Sequence, residues 1–153
     1  MTRIVIITGI SGSGKSTLAR KMCDEVIAKG GKAHMVAADD WFTKGDKYEF
    51  NAADLGYAHG YCYSKFMSAV EECPDLVVLH NTGTQALEVS PYVLFGSAYG
   101  IEAEVVTIDC DPQLAASRNT HGLTLDTVKR QSENLSRRQL PKYWKTRTVK
   151  AEV

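Results

Sequence analysis

The stretch from Arg3 to Ser16 constrains this chain more than anything after it. Arg3–Thr8 reads Arg-Ile-Val-Ile-Ile-Thr, a β-branched apolar run of the kind that forms a strand covered on both faces. It leads directly into Gly9-Ile10-Ser11-Gly12-Ser13-Gly14-Lys15-Ser16, which matches G-x-x-x-x-G-K-[ST]. From Lys15 to Lys29 the apolar residues Leu18, Met22, Val26 and Ala19, Cys23, Ile27 recur at helical spacing, and Gly30-Gly31 ends the pattern. A strand, a glycine-rich turn and a helix N-terminus in that order aim backbone N–H groups and a positive dipole end at one point, where an anion is stabilised. Chance alone produces the string in roughly 1% of chains this long. The pattern predicts a nucleotide-phosphate site contacted by Gly9, Ser11, Gly12, Ser13, Gly14, Lys15, Ser16 and Thr17. Lys15 neutralises the β- and γ-phosphates there, and the Ser16 hydroxyl is the metal ligand, for Mg²⁺.

At 153 residues with 44% apolar and 24% charged side chains, the chain fits one globular domain, residues 1–153, and excludes a disordered or fibrous protein. The remaining elements alternate. Ala33–Ala38 predicts a second strand beside the first, ending at Asp39-Asp40-Trp41. Asn51 caps a long helix that Pro74 closes, and Leu76–Leu79 is a third strand. Ser90-Pro91 signals a short helix to Gly100, Val105–Ile108 a fourth strand, Asp111-Pro112 a helix to about Arg118, and Thr124 or Asp126 a last helix toward Arg138. This order predicts an α/β fold, a parallel sheet of about four to five strands with helices on both faces and a helical lid at about 116–130. Cys23, Cys62, Cys73 and Cys110 form no C-x-x-C pair and read as reduced thiols. With no signal peptide and no apolar run long enough to span a bilayer, a cytoplasmic protein is expected.

The residues at the strand ends narrow the reaction class. Neither D-x-x-G nor N-K-x-D occurs, which argues against a GTPase switch. The run Leu76-Val77-Val78-Leu79 ends in His80-Asn81, so the carboxylate that a hydrolytic ATPase uses for its metal and attacking water is missing. A kinase instead needs a carboxylate to meet an acceptor hydroxyl and an arginine to screen the transition state. Asp39 and Asp40 offer the first, and Arg118 and Arg130 the second.

Taken with the loop at Gly9–Thr17, several elements are similar to the kinase domain of phage polynucleotide 5′-kinases. They are Asp39-Asp40 followed by an aromatic residue, Tyr48-Glu49-Phe50-Asn51 with Ala58-His59, Asn81-Thr82, and Arg118-Asn119-Thr120-His121-Gly122. The resemblance covers about residues 3–138 and is closer still to a relative, the P-loop kinase module of a eukaryotic NEDD4-binding protein. It implies a P-loop kinase fold, ATP and Mg²⁺ as cofactors, Asp39 as general base and Arg118 as the transition-state arginine. Asp40, Trp41, Asn81 and Thr82 then join Asp39 around the acceptor, and a phage-infected host cytoplasm is an implied setting. His80-Asn81-Thr82-Gly83 departs from the family, where the strand reads Asp-Asn-Thr-Asn or Ser-Asp-Thr-Asn, with a carboxylate at the first or second position and an asparagine at the last.

The acceptor is read from weaker signals. Trp41, Phe42, Tyr48, Phe50, Tyr57, Tyr61 and Tyr63 cluster between the second and third strands, and an aromatic face stacks an unpaired base at about 1–3 kcal/mol. The zero net charge is split unevenly: residues 1–135 carry five more acids than bases, and residues 136–153 five more bases than acids. The basic C-terminal tail at about 137–153, holding Arg137, Arg138, Lys142, Lys145 and Arg147, therefore suits a nucleic-acid backbone. The expectation is a phosphotransferase moving the γ-phosphate of ATP to a hydroxyl, foremost the 5′-OH of DNA or RNA. Two alternatives stand beside it: a kinase of a nucleoside, small alcohol or hydroxymethylated DNA base, and a nucleotide-binding module without catalysis.

Overall fold

A computed structural model describes residues 1–118 and 121–152. Its elements are β1 (Arg3–Thr8), α1 (Lys15–Ala28), β2 (Ala33–Val36), β3 (Thr43–Lys44), β4 (Lys47–Tyr48), α2 (Leu55–Glu71), β5 (Leu76–His80), α3 (Ala86–Ala98), β6 (Glu104–Asp109), α4 (Pro112–Arg118), α5 (Leu125–Arg137) and β7 (Lys145–Lys150). Five strands form one parallel sheet in the order β2-β5-β1-β6-β7, and β3 and β4 make a small separate hairpin.

Strand alternation sorts the core into two layers. Ile4, Ile6, Val77, Leu79 and Val105 face α2 and α3, where they meet Cys62, Phe66, Val89 and Tyr92. Val5, Ile7, Leu76, Val78, Val106 and Ile108 face α1, where they meet Ala19 and Cys23. Because β1 is covered on both sides, it carries no polar residue between Arg3 and Thr8. A third cluster joins Ile10 of the loop to Ala115 on α4 and Val128 on α5. Among the described residues no helix is long and apolar enough to cross a membrane.

Four expectations are corrected. β5, rather than β2, lies beside β1 on that flank, so Asp39 approaches the loop across the end of β5. β2 stops at Val36, and residues expected at its end wind into a short 3-10 helix, Ala38–Phe42. α3 begins at Ala86 and encloses Pro91. Ser90 is no cap there: its hydroxyl donates back to the Ala86 carbonyl at 3.0 Å, while Gln85 N–H at the true start donates to Glu88 Oε2 at 3.2 Å. Finally, part of the basic tail is a fifth strand, with Glu104–Asp109 paired residue for residue with Lys145–Lys150. Lysine and arginine on this exposed strand guard an open sheet edge against further pairing. The cap signals at Asp111 and Thr124 hold, since their side-chain oxygens accept from Gln113 N–H and Thr127 N–H.

Candidate active site

The loop between β1 and α1 is built around donors left without acceptors. Ser13 N–H donates to the Ile10 carbonyl and Ser11 N–H to Gln131 Oε1 at 2.8 Å. The N–H groups of Gly12, Gly14, Lys15, Ser16 and Thr17 find no acceptor among the described residues. Those at the first turn of a helix are orphaned by geometry, and an anion satisfies them. Gly14 takes φ +99°, a left-handed conformation, and a side chain placed there would meet nothing within 4 Å, so the space above it is open. Gly9 has the opposite reason: a Cβ would lie 2.8 Å from Ser13 Oγ. That buried hydroxyl has no partner among the described residues.

Lys15 lies at the floor of a cavity of about 950 Å³. Its Nζ donates to the carbonyls of Gly9 at 3.0 Å and Ile10 at 2.9 Å. Burial lowers its pKa to about 8, against the partly offsetting pull of Asp39. Ser16, Thr17, Asp39, His80, Asn81 and Thr82 line the same space. An ammonium, a hydroxyl, an imidazole and a carboxylate around a set of free amides fit a triphosphate with a divalent cation. Ser16 Oγ would hold the cation and Lys15 the phosphates.

The 3-10 helix separates the two neighbouring acids. Asp39 turns into the cavity, where its Oδ1 accepts from the Tyr48 hydroxyl at 3.2 Å and its Oδ2 lies 3.7 Å from His121 Nδ1. The Tyr48 and His121 rings stack at 3.9 Å and 9°. Burial, and then the Asp39 charge, push the Tyr48 phenol well above its usual range. Asp40 instead turns back, accepting from Ala37 N–H at 3.2 Å, and stays outside the cavity. Burial raises its pKa. Trp41 also lies outside, stacked on Tyr57 and edge-on to Tyr61.

At the end of β5 the Asn81 amide is committed to structure: Oδ1 accepts from Ala38 N–H at 2.8 Å and Nδ2 donates to Cys62 Sγ at 3.6 Å. It holds the start of the 3-10 helix rather than projecting free donors. The Thr82 carbonyl accepts from Gly9 N–H. His80 is largely buried, and desolvation together with the nearby Lys15 charge lowers its pKa to about 4, leaving it neutral at physiological pH.

Arg118 closes the other side of the loop, donating to the carbonyls of Gly12 at 2.9 Å, Ser13 at 3.4 Å and Glu152 at 2.7 Å. Asn119 and Thr120, in the middle of the expected lid, fall outside the described residues. The strand β7 brings Arg147, Val149 and Lys150 to the cavity wall. Of the basic residues expected at a nucleic acid, Arg138 is spent inside: its guanidinium donates to Thr8 Oγ1, Gly83 O and Thr107 Oγ1 at 3.0, 2.6 and 2.7 Å. Arg147 lies 3.4 Å from Glu104. Gln131 and the wall residues Val149 and Lys150 are absent from the site the sequence predicts. Gln131 has no local signal, being one polar residue of a strongly amphipathic helix, whereas the Thr-Arg-Thr-Val alternation of β7 is a strand signal that its charge obscures.

The described geometry has counterparts in known proteins. The model of a family described as "AAA domain" matches residues 4–142. Human NEDD4-binding protein 2 is 28% identical over 138 residues, covering 88% of this chain, and the chain spans 8% of that relative's length. Solved structures that share the fold include an APS kinase and a chain of an RNA repair complex. Mycobacterium tuberculosis APS kinase CysC, in complex with AMPPNP and APS, has a TM-score of 0.67 at 22% identity over 99% of this chain and 90% of its own. A chain of the Pnkp1/Rnl/Hen1 RNA repair complex has a TM-score of 0.68 at 16% identity over 88% of this chain and 44% of its own.

Proposed function

The chain belongs to the AAA-domain family and has a P-loop kinase-like, nucleotide-binding fold, and from that premise we propose that it transfers the γ-phosphate of ATP to a hydroxyl group. One observation carries the reading. Asp39 and Lys15 line a single cavity, and the neighbouring strand end offers an imidazole where a hydrolase would hold its carboxylate. In the step proposed, the acceptor oxygen attacks the γ-phosphorus, the bond to ADP breaks, and the hydroxyl proton passes to Asp39. The free amides and Lys15 carry the phosphate charge, and Arg118 covers the loop from the donor side. Ser16 Oγ would hold the Mg²⁺ of the nucleotide complex, which would neutralise further phosphate charge.

The acceptor we favour is the 5′-OH of a polynucleotide. Trp41, exposed and in ring contact with the exposed Tyr57 and Tyr61 outside the cavity that Asp39 lines, supports it as a platform for unpaired bases. The RNA repair neighbour agrees with this choice. A compact acceptor, such as a nucleoside or small alcohol, is the second reading. It is favoured by the charge of residues 39–54, where five acids face two lysines, a poor approach for phosphates.

Transfer from γ-labelled ATP to 5′-OH oligonucleotides, nucleosides and hydroxymethylated DNA decides between them. Labelled oligonucleotide is expected, with Asp39→Asn lowering kcat by roughly a hundredfold or more and leaving ATP affinity nearly unchanged. Label only in nucleoside would move the assignment to the second reading, label only in hydroxymethylated DNA would move it to the modified base, and ATP affinity falling in step with kcat would remove Asp39 from the role of base.

A further inference from the structure

We propose that His80 supplies a nitrogen ligand to the divalent cation of the nucleotide complex, and that the site therefore prefers Mn²⁺ to Mg²⁺. The inference rests on the nucleotide-binding reading above and goes beyond it in assigning a ligand and a metal preference. β5 pairs with β1 so that His80 stands opposite Ile7, and Asn81 N–H donates to the Ile7 carbonyl. The strand thus ends level with the start of the phosphate loop. Leu76 and Val78 of β5 pack in the layer under α1, and Val77 and Leu79 in the opposite layer. Alternation puts His80 on the side of α1, and the residue lines the cavity that Lys15 and Ser16 also line.

Two side chains near it are engaged. Asn81 is tied to Ala38 and Cys62, and Asp39 has Tyr48 and His121 against its two oxygens. The His80 ring makes no hydrogen bond among the described residues. P-loop proteins hold their cation between the loop hydroxyl and a side chain at this strand end. Here that side chain is an imidazole, and no group of three or more His, Cys, Asp or Glu residues that could hold a metal ion occurs among the described residues. The coordination shell would consist of phosphate oxygens, Ser16 Oγ, water and one ring nitrogen. Magnesium demands near-ideal octahedral oxygen coordination and dehydrates reluctantly. Mn²⁺ takes the same oxygen ligands but begins the first-row series whose affinity for nitrogen ligands rises toward Cu²⁺, so one ring nitrogen in the shell costs it less than it costs Mg²⁺.

Pulsed electron paramagnetic resonance of the full chain with Mn²⁺ and AMPPNP tests the assignment. Nitrogen modulation from a directly bound imidazole is expected, and its isotope pattern should change when the wild-type protein is grown with ¹⁵N-histidine, which separates the protein's ring from the adenine and needs no variant. His80→Ala should abolish the modulation while His59→Ala, at another position on the same cavity, retains it. His80→Asp should lower the Mg²⁺ concentration needed to displace Mn²⁺ by roughly tenfold or more. Binding of Mn²⁺ and AMPPNP without histidine nitrogen modulation, or with modulation that tracks His59, would overturn the inference and leave the nucleotide site standing. Failure to bind AMPPNP with either cation would overturn both.

Discussion

Lys15 is placed where its charge is useful to a ligand and costly to the empty protein. Burial lowers its pKa from 10.5 to about 8, so between those values the unfolded chain holds a proton that the folded chain has released. Stability from this group therefore rises with pH across that window and is at its lowest below about pH 8. Lys15→Met removes this titration, so the variant's stability relative to wild type should fall as pH rises from about 8 to about 10.5, while turnover falls below about a tenth of wild type. Urea denaturation across that range checks it, and a stability difference that stays constant with pH would contradict it. A second residue-scale case is Gly83. It takes φ +55°, and a Cβ there would lie 2.5 Å from Thr8 Cγ2. The residue that departs from the family pattern thus serves close packing beneath the loop, and its carbonyl accepts from Arg138. Gly83→Ala should cost about 1–3 kcal/mol, seen as a lower urea midpoint with unchanged slope.

Elements whose ends carry their own chemistry are readable from the chain. Asp111-Pro112 and Thr124 cap α4 and α5 because their side chains satisfy local N–H groups, a matter of neighbouring residues only. The start of α3 is misleading because Ser90-Pro91 looks like a cap, whereas the apolar residues Val89, Tyr92 and Val93 must reach the core and carry the helix back to Ala86. β7 resembles a tail because its partner, β6, is about forty residues away in sequence. Removing residues 145–153 should accordingly do far more than trim a frayed end. Val149 and Ala151 leave the layer under α1, and Arg118 loses the Glu152 carbonyl. The truncated chain is expected to melt roughly 10 °C or more below the full chain, corresponding to a few kcal/mol, and to bind nucleotide more weakly. A truncated protein with unchanged melting and affinity would show that β7 contributes neither.

At the scale of the whole molecule the acceptor question becomes one of surface charge. Arg137, Lys142 and Lys145 remain exposed, while Arg138 is occupied internally. If a single strand contacts those three, each neutralised phosphate adds about 0.7 to the log–log dependence of affinity on salt, roughly 2 in all. Replacing all three by Gln should flatten the salt dependence of the oligonucleotide KM and leave ATP affinity intact, and the fold should survive because none of the three is buried. A flat profile in the unmodified protein would favour the compact acceptor. The phosphate loop, the alternating strands and helices and the acid pair at residues 39–40 are legible in the chain because each depends on residues adjacent in sequence: glycines that free backbone donors, periodicities that choose an element, caps that end it. Folding decided which acid faces the cavity, that β5 separates β2 from β1, that β7 completes the wall, and that Arg138 is a brace. Those outcomes depend on contacts between segments far apart in the chain, and no local pattern encodes which distant surface a side chain will meet.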